Sequence, residues 1–575
     1  MKLSLLVLFA GLITPTAFGG DVPKASEAID DVALPDVYGN AQRFGDLANK
    51  KFTVVAFLGT ECPLAKLYGP RLRDLAKRFD GSDVAFVGVD SNIQDSLTEV
   101  AAYANRSGIA FPVLLDKEQK LADLLQAERT PEIFVVDANR KVRYRGRIDD
   151  QYAISVAREK PKTEDLADAI TKLLAGEEPT TARTKAIGCI IGRRSKVQPK
   201  GDITYSKHIA PIFNKRCAEC HRTGELAPFS LSSFQDTVGW TDMIAEVISE
   251  NRMPPWNANP KYGHFKNDAR LTAEEKRTIL TWVENGSPEG DKADLPSAPE
   301  FVEGWRIKKP DIVYEMGEEF KVPASGVVDY QHFVVDPKLT EDVFVNSVEA
   351  RPGNPEVVHH IVVYVRTPGR KRQRGLGMML IGYAPGTSPL IYPNDAGMRI
   401  PKGSKFVFQM HYTPNGEPAT DTSYVGVNFI DKDKVKNEII GEEAMTSRFA
   451  IPPQDGNYKV TARKKIREDI RLITLTPHMH LRGKAFRYEA QYPDGKKEIL
   501  LDVPKYDFNW QLRYELAEPK LLPKGSILEC VAAYDNSESN LNNPDPGKRI
   551  TWGDQSWEEM MIGFYAGVRP RKGSE

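Results

Sequence analysis

Short runs of consecutive apolar residues, separated by amphipathic stretches, fill the first third of the chain. Thr53-Val54-Val55-Ala56-Phe57, Val84-Ala85-Phe86-Val87-Gly88-Val89 and Glu132-Ile133-Phe134-Val135-Val136 have the length and β-branched content of buried strands. Leu72 to Phe79 and Thr163 to Leu174 carry apolar residues at helical spacing. Strands alternating with helices predict an α/β layer around a central sheet. Ahead of it, Lys2 leads an apolar run from Leu3 to Ile13, followed by small residues at Ala17 and Gly19. That run is too short to span a bilayer and reads as a signal peptide over residues 1–19, which predicts export to a periplasm or beyond. No later stretch holds about 18 uninterrupted apolar residues, so no membrane span is expected in the mature chain. Residues 177–202 are rich in Thr, Lys, Arg and Pro and read as a linker with solvated basic residues. From Ile203 to Asp291 the pattern turns helical. Beyond Pro296 short β-branched and aromatic runs between Pro/Gly turns predict all-β sandwich architecture.

A chain of 575 residues is too long for one core, and the usual domain size predicts about three to five units. Hydrophobic residues make up 41% and charged residues 27%, an ordinary globular balance. The net charge of −1 argues against a nucleic-acid partner. Five cysteines are too few for a disulfide framework in an exported chain of this size. Histidines number nine, and their scarcity makes their clustering informative.

Cys217-Ala218-Glu219-Cys220-His221 has the C-x-x-C-H spacing of covalent haem attachment: one turn brings two thiols to the two vinyl groups and an imidazole beneath the iron. A helical lead-in, His208 to Arg216, and a later helix, Leu271 to Asn285, flank it. Over residues 203–291 this resembles class I cytochrome c, an all-α domain whose terminal helices cross. The resemblance implies haem c on Cys217, Cys220 and His221, with a loop methionine as sixth ligand. Met253 in Arg252-Met253-Pro254-Pro255-Trp256 is preferred because the prolines forbid a regular helix there. Met243 reads as helix packing, and His264 is the outside alternative. A His/Met pair favours electron transfer over oxygen activation.

Five further histidines fall in three clusters, His359-His360, His411 and His478-Met479-His480, followed by Glu558-Glu559-Met560-Met561. Residues i and i+2 of a strand share a face, so His478 and His480 can aim at one metal. Adjacent His359 and His360 need a bulge or a strand end to do so. Imidazoles with a thioether and no thiolate suit copper. The order HH…H…HxH…M resembles that of the copper type II, ascorbate-dependent monooxygenases, which include peptidylglycine α-hydroxylating monooxygenase. The resemblance covers residues 300–570 and implies two consecutive β-sandwich domains, 300–440 and 441–570, with two copper ions. His359, His360 and His411 would hold the electron-transferring copper; His478, His480 and Met560 would hold the copper that binds O2 and attacks a C–H bond. Met560 is preferred to Met561 because Glu559-Met560 matches the family's acidic-Met step. The substrate side departs from the peptide-amidating enzyme: Thr476 replaces its arginine, and Phe564, with Tyr565 adjacent, replaces its tyrosine. Cys530 reads as a buried thiol.

Phe57 to Lys66, with Cys62 at a strand end leading into a helix, resembles the thioredoxin active-site segment, and Thr130-Pro131 resembles that fold's cis-proline loop. Residues 26–176 are similar to the redoxin/peroxiredoxin branch. Ala65 replaces the usual second cysteine. A thiol at a helix N-terminus has a stabilised thiolate, so Cys62 is a candidate catalytic thiol; Cys189 either resolves it or forms a structural disulfide with it. The expectation for the whole is a multidomain exported oxidoreductase, with an α/β thioredoxin-like domain, an all-α cytochrome c domain and two all-β sandwiches. It would hydroxylate a small-molecule or peptide substrate with O2, using electrons from an external donor passed through the haem. The alternatives are a non-catalytic haem/copper carrier and a thiol peroxidase acting through Cys62.

Overall fold

The computed structural model describes residues 28–571 except 48–49, 155, 226, 302–303, 370–376 and 385. The signal peptide expected over residues 1–19 lies outside the described residues. Among those described, no helix is long and apolar enough to cross a membrane.

The N-terminal α/β unit is built on a five-stranded sheet in the order Val113–Leu115, Val84–Asp90, Phe52–Leu58, Glu132–Asp137, Val142–Gly146. The first three run parallel and the last two antiparallel to their neighbours. Alternation along Phe52–Leu58 feeds two cores. Val54, Ala56 and Leu58 pack beneath Leu72, Leu166 and Ile170, while Val55 and Phe57 pack with Val87, Phe134 and Leu121. A strand apolar on both sides is what a sheet covered on both faces requires.

The segment 177–202, expected as a linker, instead folds back onto this unit. Cys189–Ile190 pairs antiparallel with Arg129–Thr130, in the register Cys189↔Thr130. Ile191 is fully buried in the second core. Two of its basic residues, Arg193 and Lys196, pair with Asp123 rather than standing free. Polar composition hides the short apolar stretch Cys189-Ile190-Ile191, and glycines at either end of it let the backbone approach closely: a Cβ at Gly188 would lie 2.0 Å from the Thr130 oxygen, and one at Gly192 2.5 Å from the Gly239 oxygen.

Between 203 and 291 the chain is helical. A π-helical turn, Tyr205–Ile209, runs into Ala210–Arg216; Phe234–Val238, Thr241–Ser249 and Ala273–Glu284 follow. Ile209, Phe213, Trp240, Ile244, Ile279 and Trp282 form its core. Its loop after Met253 leaves this core altogether: Trp256, Ala258 and Phe265 are buried with Tyr514 in the hydrophobic core of the C-terminal β region.

The β region differs from two separate sandwiches. One nine-stranded sheet runs through both halves, in the order Ile312–Glu315, Tyr424–Ile430, Val343–Arg351, Ala396–Ile400, Asn437–Met445, Ile562–Pro570, Ile470–His478, Tyr514–Leu522, with Leu390–Ile391 paired to Val343–Arg351. The halves join where Ala396–Ile400 pairs parallel with Asn437–Met445. Each half is closed by its own four-stranded sheet: Gln331–Val335, Lys405–Tyr412, Val358–Arg366 and Met378–Tyr383 in the first, and Tyr458–Lys465, Ile527–Tyr534, Gly483–Gln491 and Lys497–Val503 in the second. Each half has its own core.

Candidate metal centre and redoxin thiols

His359 and His360 open the strand Val358–Arg366, and His411 lies one residue from the end of its neighbour Lys405–Tyr412. Val358 faces Tyr412 and His360 faces His411, so one strand contributes an extra residue there. This bulge turns both adjacent histidines toward His411. His359 Nδ1 lies 3.3 Å from His360 Nδ1 and 3.1 Å from His411 Nδ1. An ion held at about 2.0–2.1 Å by each of two imidazoles separates their nitrogens by about 2.9–3.4 Å, so this spacing fits a shared ion.

His478 ends the strand Ile470–His478, and His480 follows it, fully buried. Their ring centroids are 5.2 Å apart. His478 Nδ1–H donates to Gln511 Oε1 at 2.6 Å, a bond that fixes the tautomer and leaves Nε2 as the free lone pair. His480 Nε2 is buried and makes no hydrogen bond, which fits an atom reserved for a ligand. The loop is held by Glu559, whose carboxylate accepts from the backbone N–H of His480 at 2.8 Å and of Arg482 at 2.6 Å. Burial raises the Glu559 carboxyl to about 8 against those hydrogen bonds. Met560 follows directly and is 8% exposed, its carbonyl accepting from Tyr534 Oη at 2.6 Å. Met561 is fully buried in the core of the C-terminal half.

The two histidine sets are neighbours. The Tyr330 ring lies 4.8 Å from His411, 5.3 Å from His360 and 6.1 Å from His480. Phe508 lies 5.4 Å from His359 and 5.9 Å from His480. Gln511 touches both sets, its Nε2 lying 3.5 Å from His360 Nδ1. Burial depresses all five imidazoles, His359 and His478 to about 4 and the other three well below the usual imidazole value, where the neighbouring histidines add to the effect. All five are therefore neutral near pH 7, the form that donates a lone pair to a metal. Beside them opens a cavity of about 100 Å3 lined by His360, His478, Thr476, Gln511, Phe564 and Tyr565. Thr476, Phe564 and Tyr565, the positions where the sequence departs from the peptide-amidating pattern, thus share this wall. Sequence reasoning missed Tyr330, Phe508 and Gln511; nothing in their spacing marks them, since Tyr330 enters from just before the strand Gln331–Val335 and Phe508 and Gln511 from the loop between Lys497–Val503 and Tyr514–Leu522.

In the helical region, the backbone N–H groups of Cys220 and His221 both donate to the Cys217 carbonyl, at 3.1 and 2.9 Å, which closes the turn of the motif. Burial pushes the thiols up, Cys217 to about 12 and Cys220 to about 11. His221 Nδ1–H donates to the Phe229 carbonyl at 3.1 Å, which orients the ring and frees Nε2, the arrangement an axial haem ligand needs. Met253 is half-buried in the loop after Thr241–Ser249. Met243 packs against the helical core. The His264 carbonyl accepts from Ala517 N–H, which places that residue against the β region.

Cys62 stands at the N-cap of the helix Pro63–Arg78 and is 1% exposed. Its Sγ lies 2.9 Å from the Thr130 carbonyl of the cis Thr130-Pro131 bond. Burial raises this thiol, but hydrogen bonds from the side chain and backbone of Cys189 and from the Ala65 N–H outweigh it and bring Cys62 down to about 6. Cys189 moves the opposite way, well above its ordinary value, because it faces the Cys62 thiolate and is itself desolvated. The pairing of Cys189 with Thr130 is what brings the two thiols together. The segment therefore supplies the second cysteine that Ala65 cannot.

Residues 25–145 match the AhpC/TSA family. They form a thioredoxin-like redoxin domain. Among curated proteins, thiol-disulfide oxidoreductase ResA of Bacillus subtilis is 29% identical over 143 residues, covering 24% of this chain and 78% of that protein. ResA of Geobacillus thermodenitrificans is 25% identical over 130 residues, covering 23% of this chain and 69% of that protein. Among solved structures, a hypothetical protein of Sinorhizobium meliloti is 30% identical, covering 28% of this chain and 91% of that one with a TM-score of 0.27. These matches concern the redoxin domain.

Proposed function

We propose that the β region is a copper-dependent monooxygenase that inserts one oxygen atom of O2 into a C–H bond of an organic substrate, in an exported protein. The observation that carries this reading is the convergence of His359, His360 and His411 through ring nitrogens 3.1–3.3 Å apart, beside the pair His478 and His480. His359, His360 and His411 would hold one ion, and His478, His480 and Met560 a second. Copper bound there would supply one-electron transfer and activation of O2. The chain's own residues do the rest. Gln511 holds the His478 tautomer, Glu559 anchors the backbone that carries His480, and Thr476, Phe564 and Tyr565 orient a substrate in the cavity and exclude water. Cys217, Cys220, His221 and Met253 would hold haem c, a one-electron carrier. Sharing one chain raises its effective concentration at the β region. Metal analysis and 18O2 labelling test the proposal. The wild type should bind two coppers per chain, His411→Ala and His478→Ala one each, and both variants should lose the 18O-labelled product. Less than one copper in the wild type, or content unmoved by either substitution, refutes it.

A second reading concerns the redoxin domain alone. We infer that it carries out thiol–disulfide chemistry, a reading favoured by the contact between Cys62 and Cys189 and by the ResA likeness. Reversible loss of both thiols on oxidation, seen as a 2 Da mass change, tests it.

A further inference from the structure

Resting on the reading of the redoxin domain as thiol-active, we propose that Cys189 is the cysteine through which small thiols and disulfides enter, and that Cys62 is its buried partner. The roles are thus exchanged relative to the position of Cys62 at the helix N-terminus. Three observations carry this. Cys62 is sealed: it is 1% exposed, with the Thr130 carbonyl on one side and the strand Cys189–Ile190 on the other. That strand is not a flap that peels away easily. Ile191 is fully buried and its N–H donates to the Glu128 carbonyl; Gly192 N–H donates to Asn92 Oδ1, and its carbonyl accepts from Ile93 N–H and Gln119 Nε2. Cys189, in contrast, is partly exposed. It lies at the junction with the helical region, beneath Arg129, which donates to the Gly188 carbonyl at 2.8 Å and pairs with Glu246.

Thiol–disulfide exchange needs an accessible sulfur to attack and a stabilised thiolate to leave. In the oxidised state, a low-molecular-weight thiolate attacks the Cys189 sulfur. The Cys62–Cys189 bond breaks, and Cys62 leaves as a thiolate held by the Cys189 and Ala65 N–H groups. A second small thiolate attacks the mixed disulfide on Cys189; the Cys189 thiolate is released and takes up a proton. Two thiols have become one small disulfide, and the protein has gained two electrons. Oxidation by a small disulfide runs through the same steps in reverse. Cys189 attacks the small disulfide, and its proton leaves with the expelled small thiol. The Cys62 thiolate then attacks the mixed disulfide at the Cys189 sulfur, closing the protein disulfide and expelling the second small thiolate.

The test uses the full chain and 2-mercaptoethanol with its disulfide as probe. Oxidised wild type is mixed with the thiol, quenched in acid and mapped by peptide mass. The mixed disulfide should sit on Cys189 at least about tenfold over Cys62. Cys62→Ser treated with the small disulfide should accumulate a stable adduct on Cys189, and Cys189→Ser should leave Cys62 unmodified. An adduct mainly on Cys62 in the wild type, or in Cys189→Ser, overturns the assignment while leaving the domain thiol-active. A wild type that never cycles between two thiols and a disulfide instead overturns the underlying reading, and the assignment with it.

Discussion

At the residue scale, the site depends on second partners that fix each reactive atom. His478 is aimed by Gln511, His221 by the Phe229 carbonyl, and Cys62 by Cys189. The thiol pair gives this a measurable sign. Because the folded-state Cys62 thiol is lowered to about 6, it is a thiolate in the folded protein while the unfolded chain still carries a thiol. The stabilisation of the reduced protein from this source is complete above the ordinary cysteine value, shrinks as pH falls, and is gone below about pH 6. Thiolate absorbance at 240 nm, taken as the difference between wild type and Cys62→Ser at each pH, should titrate near 6. In Cys189→Ala, which loses the side-chain hydrogen bond to Cys62, the midpoint should rise by about one unit or more. An unmoved midpoint would show that the helix terminus, not Cys189, stabilises the thiolate.

At the element scale, legibility followed how local the signal was. Strands such as Phe52–Leu58 were readable because burial on both faces leaves a continuous apolar run. The histidine clusters were readable because a rare residue type recurs in close groups, and the need for a bulge at His359-His360 followed from strand geometry alone; the register shift beside Val358 meets that need. The strand Cys189–Ile190 was not readable, since two residues in a polar stretch carry no period and gain their place only from the cis-proline loop they pair with. That dependence makes Gly188 a lever. A Cβ there falls 2.0 Å from the Thr130 oxygen, a backbone atom that cannot step aside cheaply. Gly188→Ala should push the strand off the loop, separate the two thiols and cost about 1–3 kcal/mol. Disulfide formation should slow and the redoxin melting transition should fall; neither would change if the strand were incidental to the thiol pair.

At the scale of the whole molecule, the short-strand pattern predicted sandwich architecture and the family resemblance implied two consecutive sandwiches, but strand pairing between halves is non-local and leaves no mark in the pattern. The parallel pairing of Ala396–Ile400 with Asn437–Met445 makes the halves share one sheet, which holds the two histidine sets in a fixed relation around Tyr330 and Phe508. The helical region is tied in by the same logic. Its loop beyond Met253 donates Trp256 to the β core, where the indole packs edge-on against Tyr514 at 4.9 Å and Phe265 at 6.0 Å. Tyr514 stands opposite Leu475, three residues before His478, and three residues after Gln511. The loop carrying the proposed haem ligand and the strand carrying the proposed copper ligand therefore meet through one buried aromatic cluster. Trp256→Ala should cost about 3–5 kcal/mol, as removal of a buried indole does. The loss should appear in the β-region melting transition rather than in that of the helical core, where Trp240 and Trp282 remain. If the helical transition alone moved, Trp256 would belong energetically to its own region, and the docking of the loop would be a surface contact rather than part of the β core.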